Sequence, residues 1–215
     1  TNPEKFSPNV ILRPLYQEVI LPNLCYIGGG GEIAYWLELK TTFEAFNCAF
    51  PILLLRNSAI LVTKKQSEKI EKLQLNWEQL FLKQEELINQ KVKQIAEIPI
   101  DFSAQKTALK KQFSELYAIA NQTDKSFLGA VKAQETKQIK GLENLEKRFL
   151  KAQKKKYQSE LERIINLQNE LFPNQSLQER QTNFSEFYLE VGITLISNLF
   201  DELEPLDNNF TILTL

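Results

Sequence analysis

Hydrophobic positions follow two different periods along this chain, and the change of period divides it. Up to residue 62 the apolar runs are short and punctuated by proline and glycine. Val10-Ile11-Leu12 precedes Arg13-Pro14, and Leu24-Cys25-Tyr26-Ile27, Pro51-Ile52-Leu53-Leu54-Leu55 and Ala59-Ile60-Leu61-Val62 follow. The last three read as strands. Pro14 suits the first turn of a short helix through Tyr16, Gln17, Glu18 and Ile20, closed by Leu21-Pro22-Asn23. Apolar residues at 33, 36, 37, 39, 43 and 46 predict a helix from Glu32 to Phe46, with Glu32 in its first turn. Strand, glycine turn, helix and strand make one unit of a parallel sheet.

From Lys65 the spacing changes to threes and fours. Positions 70, 73, 77, 80, 87 or 88, 92 and 95 predict a helix ended by Pro99, and Phe102, Leu109, Phe113, Leu116 and Ala120 a second. Asp124 caps a third through 127, 131, 138, 142, 145, 149 and 152, and after a slip of one residue the stripe resumes at Tyr157, Leu161, Ile164, Gln168 and Leu171. Read as one helix, Asp124 to Phe172 spans about 73 Å at about 1.5 Å per residue. That length predicts an antiparallel coiled-coil hairpin and a homodimer formed through it. After Phe172-Pro173-Asn174, Ser176 to Leu203 reads as another amphipathic helix, and the alternating tail Phe210 to Leu215 as a strand that returns to the α/β part. The expected domains are 1–63, the C-terminal part of a Rossmann-like core; 64–173, a helical coiled coil; and 174–215, a helix and tail packing back on the core or coil.

Composition narrows the chemistry. The 215 residues are 43% apolar and 25% charged, with 7 glycines and 8 prolines, which excludes disorder and fibrous repeats. The longest apolar stretch, Ala49 to Val62, is interrupted by Pro51, Arg56, Asn57 and Ser58, so no membrane helix is predicted. The N-terminal residues carry no secretory pattern, and a cytoplasmic location is expected. Histidine is absent, which removes histidine triads, histidine metal ligands and the usual neutral-pH proton carrier. No metal-ligand set is visible. Cys25 and Cys48 lie among apolar residues and are expected to be buried packing thiols. Methionine is also absent, so the numbering is expected to begin inside a longer gene product.

Charge is unevenly spread: residues 1–62 carry 4 basic and 5 acidic side chains, 63–172 carry 21 and 15, and 173–215 carry 1 and 7. In the basic middle, glutamates interleave the lysines at helical spacing and few aromatics are available to stack on bases. A solvated helical face, or a basic helix packing on the acidic C-terminal segment, is the better reading; Lys151, Lys154, Lys155 and Lys156 are read as solvated, and no nucleic-acid partner is expected.

Candidate site residues cluster in the first third. The glycines Gly28, Gly29, Gly30 and Gly31 stand between a strand and a helix, where a ligand can approach backbone amides. They lack GxGxxG order and a Walker ending, and a tight turn with a helix cap explains them equally well. Glu32 would repel phosphate but accept hydrogen bonds from a ribose or an amine. Tyr35 and Trp36 are core or ligand platform. Arg13, Gln17 and Glu18 form a polar group on the short helix. Arg56, Asn57 and Ser58 follow a strand end, where open α/β sheets place ligands and an arginine can grip carboxylate or phosphate; a salt bridge or capping role explains either polar group equally well.

Ile11-Leu-Arg-Pro-Leu-Tyr-Gln-Glu18, Leu21-Pro-Asn23, Tyr26-Ile-Gly-Gly-Gly-Gly-Glu-Ile-Ala-Tyr-Trp36, Phe50-Pro-Ile-Leu-Leu-Leu-Arg-Asn-Ser58, the long coil, Leu171-Phe-Pro173 and Leu177-Gln-Glu-Arg180 together resemble the cysteine-adding enzymes of bacillithiol biosynthesis, the BshC family. The resemblance runs along nearly the whole chain. It implies a C-terminal portion of a Rossmann-like core related to class I aminoacyl-tRNA synthetases, with a dimerising coiled coil. It implies a ligase that joins L-cysteine to the amine of glucosaminyl-malate, with ATP/ADP as the expected nucleotide and the cysteine carboxylate activated by ATP. By the same resemblance the glycine turn approaches the nucleotide, Glu32 lies near ribose or amine, and Arg56 faces phosphate or carboxylate. Family members are more than twice this length, so these residues alone are expected to be inactive, and no catalytic base is assigned. A purely structural coiled-coil protein is the rival reading. The two are separated by whether Arg13, Gln17, Glu32 and Arg56 line one cleft.

Overall fold

The computed structural model describes residues 2–215, which form two compact units: the chain up to residue 64 together with 177–215, and residues 65–176. In chain order, α1 spans Leu12–Ile20, β1 Cys25–Gly28, α2 Gly30–Glu38, α3 Lys40–Ala45, β2 Ile52–Leu55 and β3 Ser58–Val62. Then follow α4 Lys64–Lys72, α5 Trp77–Leu80, α6 Gln84–Ile95, α7 Ser103–Ala120, α8 Lys125–Lys156 and α9 Gln158–Leu171. The chain ends with α10 Gln178–Gln181, α11 Phe184–Val191, α12 Thr194–Glu202 and β4 Phe210–Thr214. Among the described residues no helix is long and apolar enough to cross a membrane.

In the first unit, β1 and β2 pair in parallel from Cys25 opposite Ile52 to Gly28 opposite Leu55, with α2 and α3 between them. Beneath lies a core of Leu15, Trp36, Leu39 and Phe43, with Tyr26, Cys48, Phe50 and Leu53 against it. The Tyr26 and Trp36 rings stack at 3.9 Å between centroids. β3 does not extend this sheet. It pairs in parallel with the C-terminal β4, Ser58 opposite Phe210 through Val62 opposite Thr214. The cause lies at the junction. Arg56 N–H donates to the Gly28 carbonyl at the end of the first ladder, whereas the Asn57 side-chain amide donates to the Glu204 carbonyl at 2.8 Å. Asn57 thus ties the chain to the C-terminal segment, where Leu61, Leu195 and Leu213 form a second core.

Cys25 departs from expectation: it is exposed. It shares a strand face with Ile27 and, across the ladder, with Ile52, and these two are 61% and 71% exposed. Cys48 is half-buried against the aromatic core, as a packing thiol should be.

The helices are more broken than periodicity predicts. The stretch from Glu32 to Phe46 divides at Leu39, whose ψ of −2° interrupts the ladder between α2 and α3. Between residues 65 and 95 the chain turns at Gln74, with φ at +49°, and restarts at Asn76, which exchanges side-chain hydrogen bonds with Gln79. The expected 49-residue helix is two helices joined at Tyr157, the position where the apolar stripe slips. Tyr157 has φ −101° and ψ 19°, yet hydrogen bonds run into it from Leu161 and out of it to Gln153, so the joint is a kink and not a turn. The stretch from Ser176 to Leu203 is three helices, separated by the Asn183 cap and by Gly192 at φ +68°.

In the second unit α7 and α8 lie against each other with opposite chain sense. Lys106 pairs with Glu146 and, further along α7, Tyr117 OH donates to Glu135 at 2.7 Å. Phe113, Ala120 and Val131 are buried between them. Val92, Ile100 and Leu161 make a separate core with Phe149 and Tyr157. Lys91 is buried, and its ammonium donates to the Leu73 carbonyl, closing the turn between α4 and α5.

Candidate functional site: a glycine turn beneath two arginines

The end of β1 requires glycine. A Cβ on Gly28 would lie 2.8 Å from Tyr26 Cε1 and 3.2 Å from Ile33 Cδ1, and Tyr26 has little freedom because it stacks on the buried Trp36. Gly29 caps α2, and its amide donates to Glu32 Oε2 at 2.9 Å. A Cβ on Gly30 would meet only Leu55 Cδ1 at 4.0 Å, and one on Gly31 would meet nothing within 4 Å, so this face of the first turn is open. Both glycines therefore leave their backbone approachable where helix amides lack intrahelical partners.

Two guanidinium groups lean over Gly29. A Cβ there would lie 3.2 Å from Arg180 Nη2 and 3.6 Å from Arg56 Cζ and Nε. Arg56 arrives because the register of β1 and β2 sets it one residue past Leu55, opposite the glycine turn. Arg180 arrives on α10, which is fastened to β3 by Gln178: Leu61 N–H donates to Gln178 Oε1 and Gln178 Nε2 donates to the Leu61 carbonyl. The two arginines share one oxygen of Glu179, at 3.6 Å from Arg56 Nη2 and 3.8 Å from Arg180 Nε. Neither contact is at hydrogen-bond length. Glu179 also lines a groove of about 430 Å³ with Asn57, Gln178, Thr182 and Asn183.

A second polar group joins α1 to the next turn of α2. Arg13 donates to Tyr35 OH at 3.1 Å and to Gln17 Oε1 at 3.3 Å. The Tyr35 hydrogen bond, with a further one to Tyr26, raises the Arg13 pKa above its ordinary value. Arg13 and Gln17 thus meet at Tyr35, while Glu32 and Arg56 meet at Gly29 three residues before Glu32. Four expected residues make contacts that serve the fold. Glu18 is buried and accepts two hydrogen bonds from Asn23, at 2.8 and 2.9 Å, closing the turn after α1. Trp36 is fully buried, and Ser58 opens β3 opposite Phe210. Asn57 holds the C-terminal segment.

Arg180 and Glu179 were not among the candidates read from the residues. Their signal was the run Leu177-Gln-Glu-Arg, but nothing local to that run shows that it folds onto a glycine turn far upstream. Among the described residues no group of His, Cys, Asp and Glu is arranged to hold a metal.

A Rossmann-like glycine turn flanked by arginines, followed in the chain by a coiled-coil-type helical unit, defines the class. Sequence models of the two domains of one family match in that order: "Bacillithiol biosynthesis BshC, N-terminal Rossmann-like domain" over residues 1–57 and "Bacillithiol biosynthesis BshC, C-terminal coiled-coil domain" over 59–215. The chain belongs to the bacillithiol biosynthesis BshC family. It is 67% identical over 213 residues to a protein of Christiangramia forsetii and 64% identical over 214 residues to one of Flavobacterium johnsoniae, each named "Putative cysteine ligase BshC". A protein of Cytophaga hutchinsonii with the same name is 35% identical over 204 residues. These matches cover 99%, 100% and 95% of the chain but only 40%, 40% and 39% of the relatives' own lengths.

Proposed function

We propose that this chain is the C-terminal part of a ligase that forms an amide between L-cysteine and the amine of glucosaminyl-malate, with ATP activating the cysteine carboxylate. The observation that carries the reading is the match, along nearly all of this chain's own length, to relatives named "Putative cysteine ligase BshC"; the open glycine turn is where their ligand would approach. ATP would supply a leaving group on the carboxylate that a free acid lacks. What these residues contribute is positioning. The unobstructed backbone of Gly30 and Gly31 admits a phosphate or ribose, Glu32 is already turned to the cap amide, and Arg56 presents donors to an anion. Tyr35, one turn further along α2, accepts a hydrogen bond from Arg13 of α1, and the two are proposed to face the part of a ligand that extends past the glycine turn.

Two further parts of the reading concern assembly. The exposed apolar face of β1 and β2 is the surface against which the rest of a longer protein would complete the sheet. The helical unit is proposed to form an antiparallel coiled coil that joins two copies in a cytoplasmic homodimer; the exposed Leu116, Ile119 and Leu145 on α7 and α8 support it.

Ligation is tested by incubating a protein of the relatives' full length, carrying this chain, with ATP, cysteine and glucosaminyl-malate, and measuring product by mass spectrometry. Condensed product from the long protein and none from the 215 residues is expected. No product from the long protein sinks the ligase reading; turnover by the 215 residues alone sinks the reading of an incomplete site.

A further inference from the structure

Arg180 has no assigned role, yet it approaches Gly29 more closely than Arg56 does. The two guanidiniums come from elements brought together only by folding, one after β2 and one on α10. Their shared partner, Glu179 Oε1, sits beyond hydrogen-bond distance from both, so neither planar fork is matched by the bidentate geometry it favours. Each arginine side chain is about half exposed, 41% for Arg56 and 52% for Arg180, so both are accessible from solvent. Formal charge around Gly29 is balanced, two arginines against Glu32 and Glu179, and Glu32 is occupied by the Gly29 amide. Attraction for an anion therefore arises from directed donors and not from net charge, and Glu179 opposes it.

We propose that Arg56 and Arg180 form a paired clamp over Gly29 that binds the carboxylate or phosphate of a ligand lying along the open first turn of α2, and that Glu179 sets its affinity by competing for the same donors. The identity of the anion rests on the ligase reading: a phosphate of ATP, or a carboxylate of the malate group or of cysteine. The existence of the clamp does not. Glu179 has a second chemical possibility, acceptance of a ligand amine, and the two roles give opposite results on neutralisation.

The test is calorimetric titration of the protein with inorganic phosphate, ATP and malate. The variants are Arg180→Ala, Arg180→Lys and Glu179→Gln, each checked for native circular dichroism. Arg180→Ala is expected to weaken binding about tenfold or more, because charge-assisted hydrogen bonds are lost. Arg180→Lys should weaken it less, since a point charge replaces a fork. Glu179→Gln should tighten binding several-fold, and rising salt should weaken binding in every folded form. Binding of phosphate and ATP without malate assigns the clamp to the nucleotide, and the reverse assigns it to a substrate carboxylate. No binding of any of the three, unchanged affinity in folded Arg180→Ala and Arg180→Lys, or weaker anion binding in Glu179→Gln would overturn the clamp. Ligation by the long protein that survives unchanged in Arg180→Ala removes the clamp and leaves the ligase reading standing. An intact clamp in a protein that makes no product does the opposite.

Discussion

Both backbone polar groups of Leu61 are paired with a single side-chain amide, that of Gln178: Leu61 N–H donates to Oε1 at 2.9 Å, and Nε2 donates to the Leu61 carbonyl at 3.0 Å. The amide stands where a neighbouring strand would be, on the edge of β3 that β4 leaves open. It also fixes the start of α10, and with it Glu179 and Arg180 beside the glycine turn. One buried side chain thus links sheet pairing to the composition of the candidate site.

Gln178→Ala should be expensive for its size. It leaves a buried N–H and a buried carbonyl unpaired, each costing about 1–3 kcal/mol. Urea denaturation is expected to show a loss of about 2 kcal/mol or more, and Gln178→Glu, which keeps the acceptor and removes the donor, a comparable one. A loss below about 0.5 kcal/mol for Gln178→Ala would mean that water or a neighbour replaces the amide.

Gly28 and Gly141 should respond to alanine in opposite directions. A methyl on Gly28 meets the ring of Tyr26 at 2.8 Å, with overpacking expected to cost about 1–3 kcal/mol. Gly141 lies inside α8 with nothing within 4 Å of the added carbon, so alanine should stabilise by about 0.5–1 kcal/mol. Thermal melts of the two variants give the signs directly.

The Lys106–Glu146 pair predicts a stability profile with two limbs. The lysine hydrogen bond, with a second from the Phe102 amide, lowers the Glu146 pKa below its ordinary 4.5, so that contribution is present above the ordinary value and is lost as pH falls through the lowered one. Glu146 raises the Lys106 pKa above 10.5, so that contribution is complete below 10.5 and is lost as pH rises through the raised value. Between the limbs it is constant. Lys106→Met should flatten part of the acid limb in denaturation curves recorded from pH 2 to 6; an unchanged limb would assign the shift to the Phe102 amide.

Light scattering over a concentration series tests the proposed dimer. Leu145 is 51% exposed and Leu116 42%, whereas Phe149 stacks on Phe102 within the chain and would confound the result. Leu116→Lys combined with Leu145→Lys is expected to halve the molar mass at unchanged helicity. A wild-type monomer at every concentration would remove the dimer from the proposal.

Much of the fold was legible because its signals are local. Pro14, the Gly28 to Gly31 turn and the run Ile52 to Leu55 placed α1, β1, α2 and β2 to within a few residues, since turn chemistry and apolar runs act over one or two turns of chain. The breaks at Leu39, Gln74 and Gly192 were missed for the complementary reason: an apolar stripe keeps its spacing across a bend, and only packing decides where the ladder yields. Cys25 looked buried because its neighbours are apolar, but burial depends on what covers a sheet face, and Cys25, Ile27 and Ile52 are left exposed on this one.

The amino-acid sequence alone determined the change from strand-like to helical period, the glycine turn leading into α2, and the lack of any histidine among these 215 residues. Each of these depends on residue types and short-range spacing. Tertiary structure decided that β3 pairs with β4 and not with β2, that Glu18 and Trp36 serve the fold while Arg13 and Tyr35 remain accessible to each other, and that Arg180 joins Arg56 over Gly29. Those outcomes depend on which distant apolar surfaces are buried together and where buried amides find partners, and no window of neighbouring residues contains both sides of such a contact.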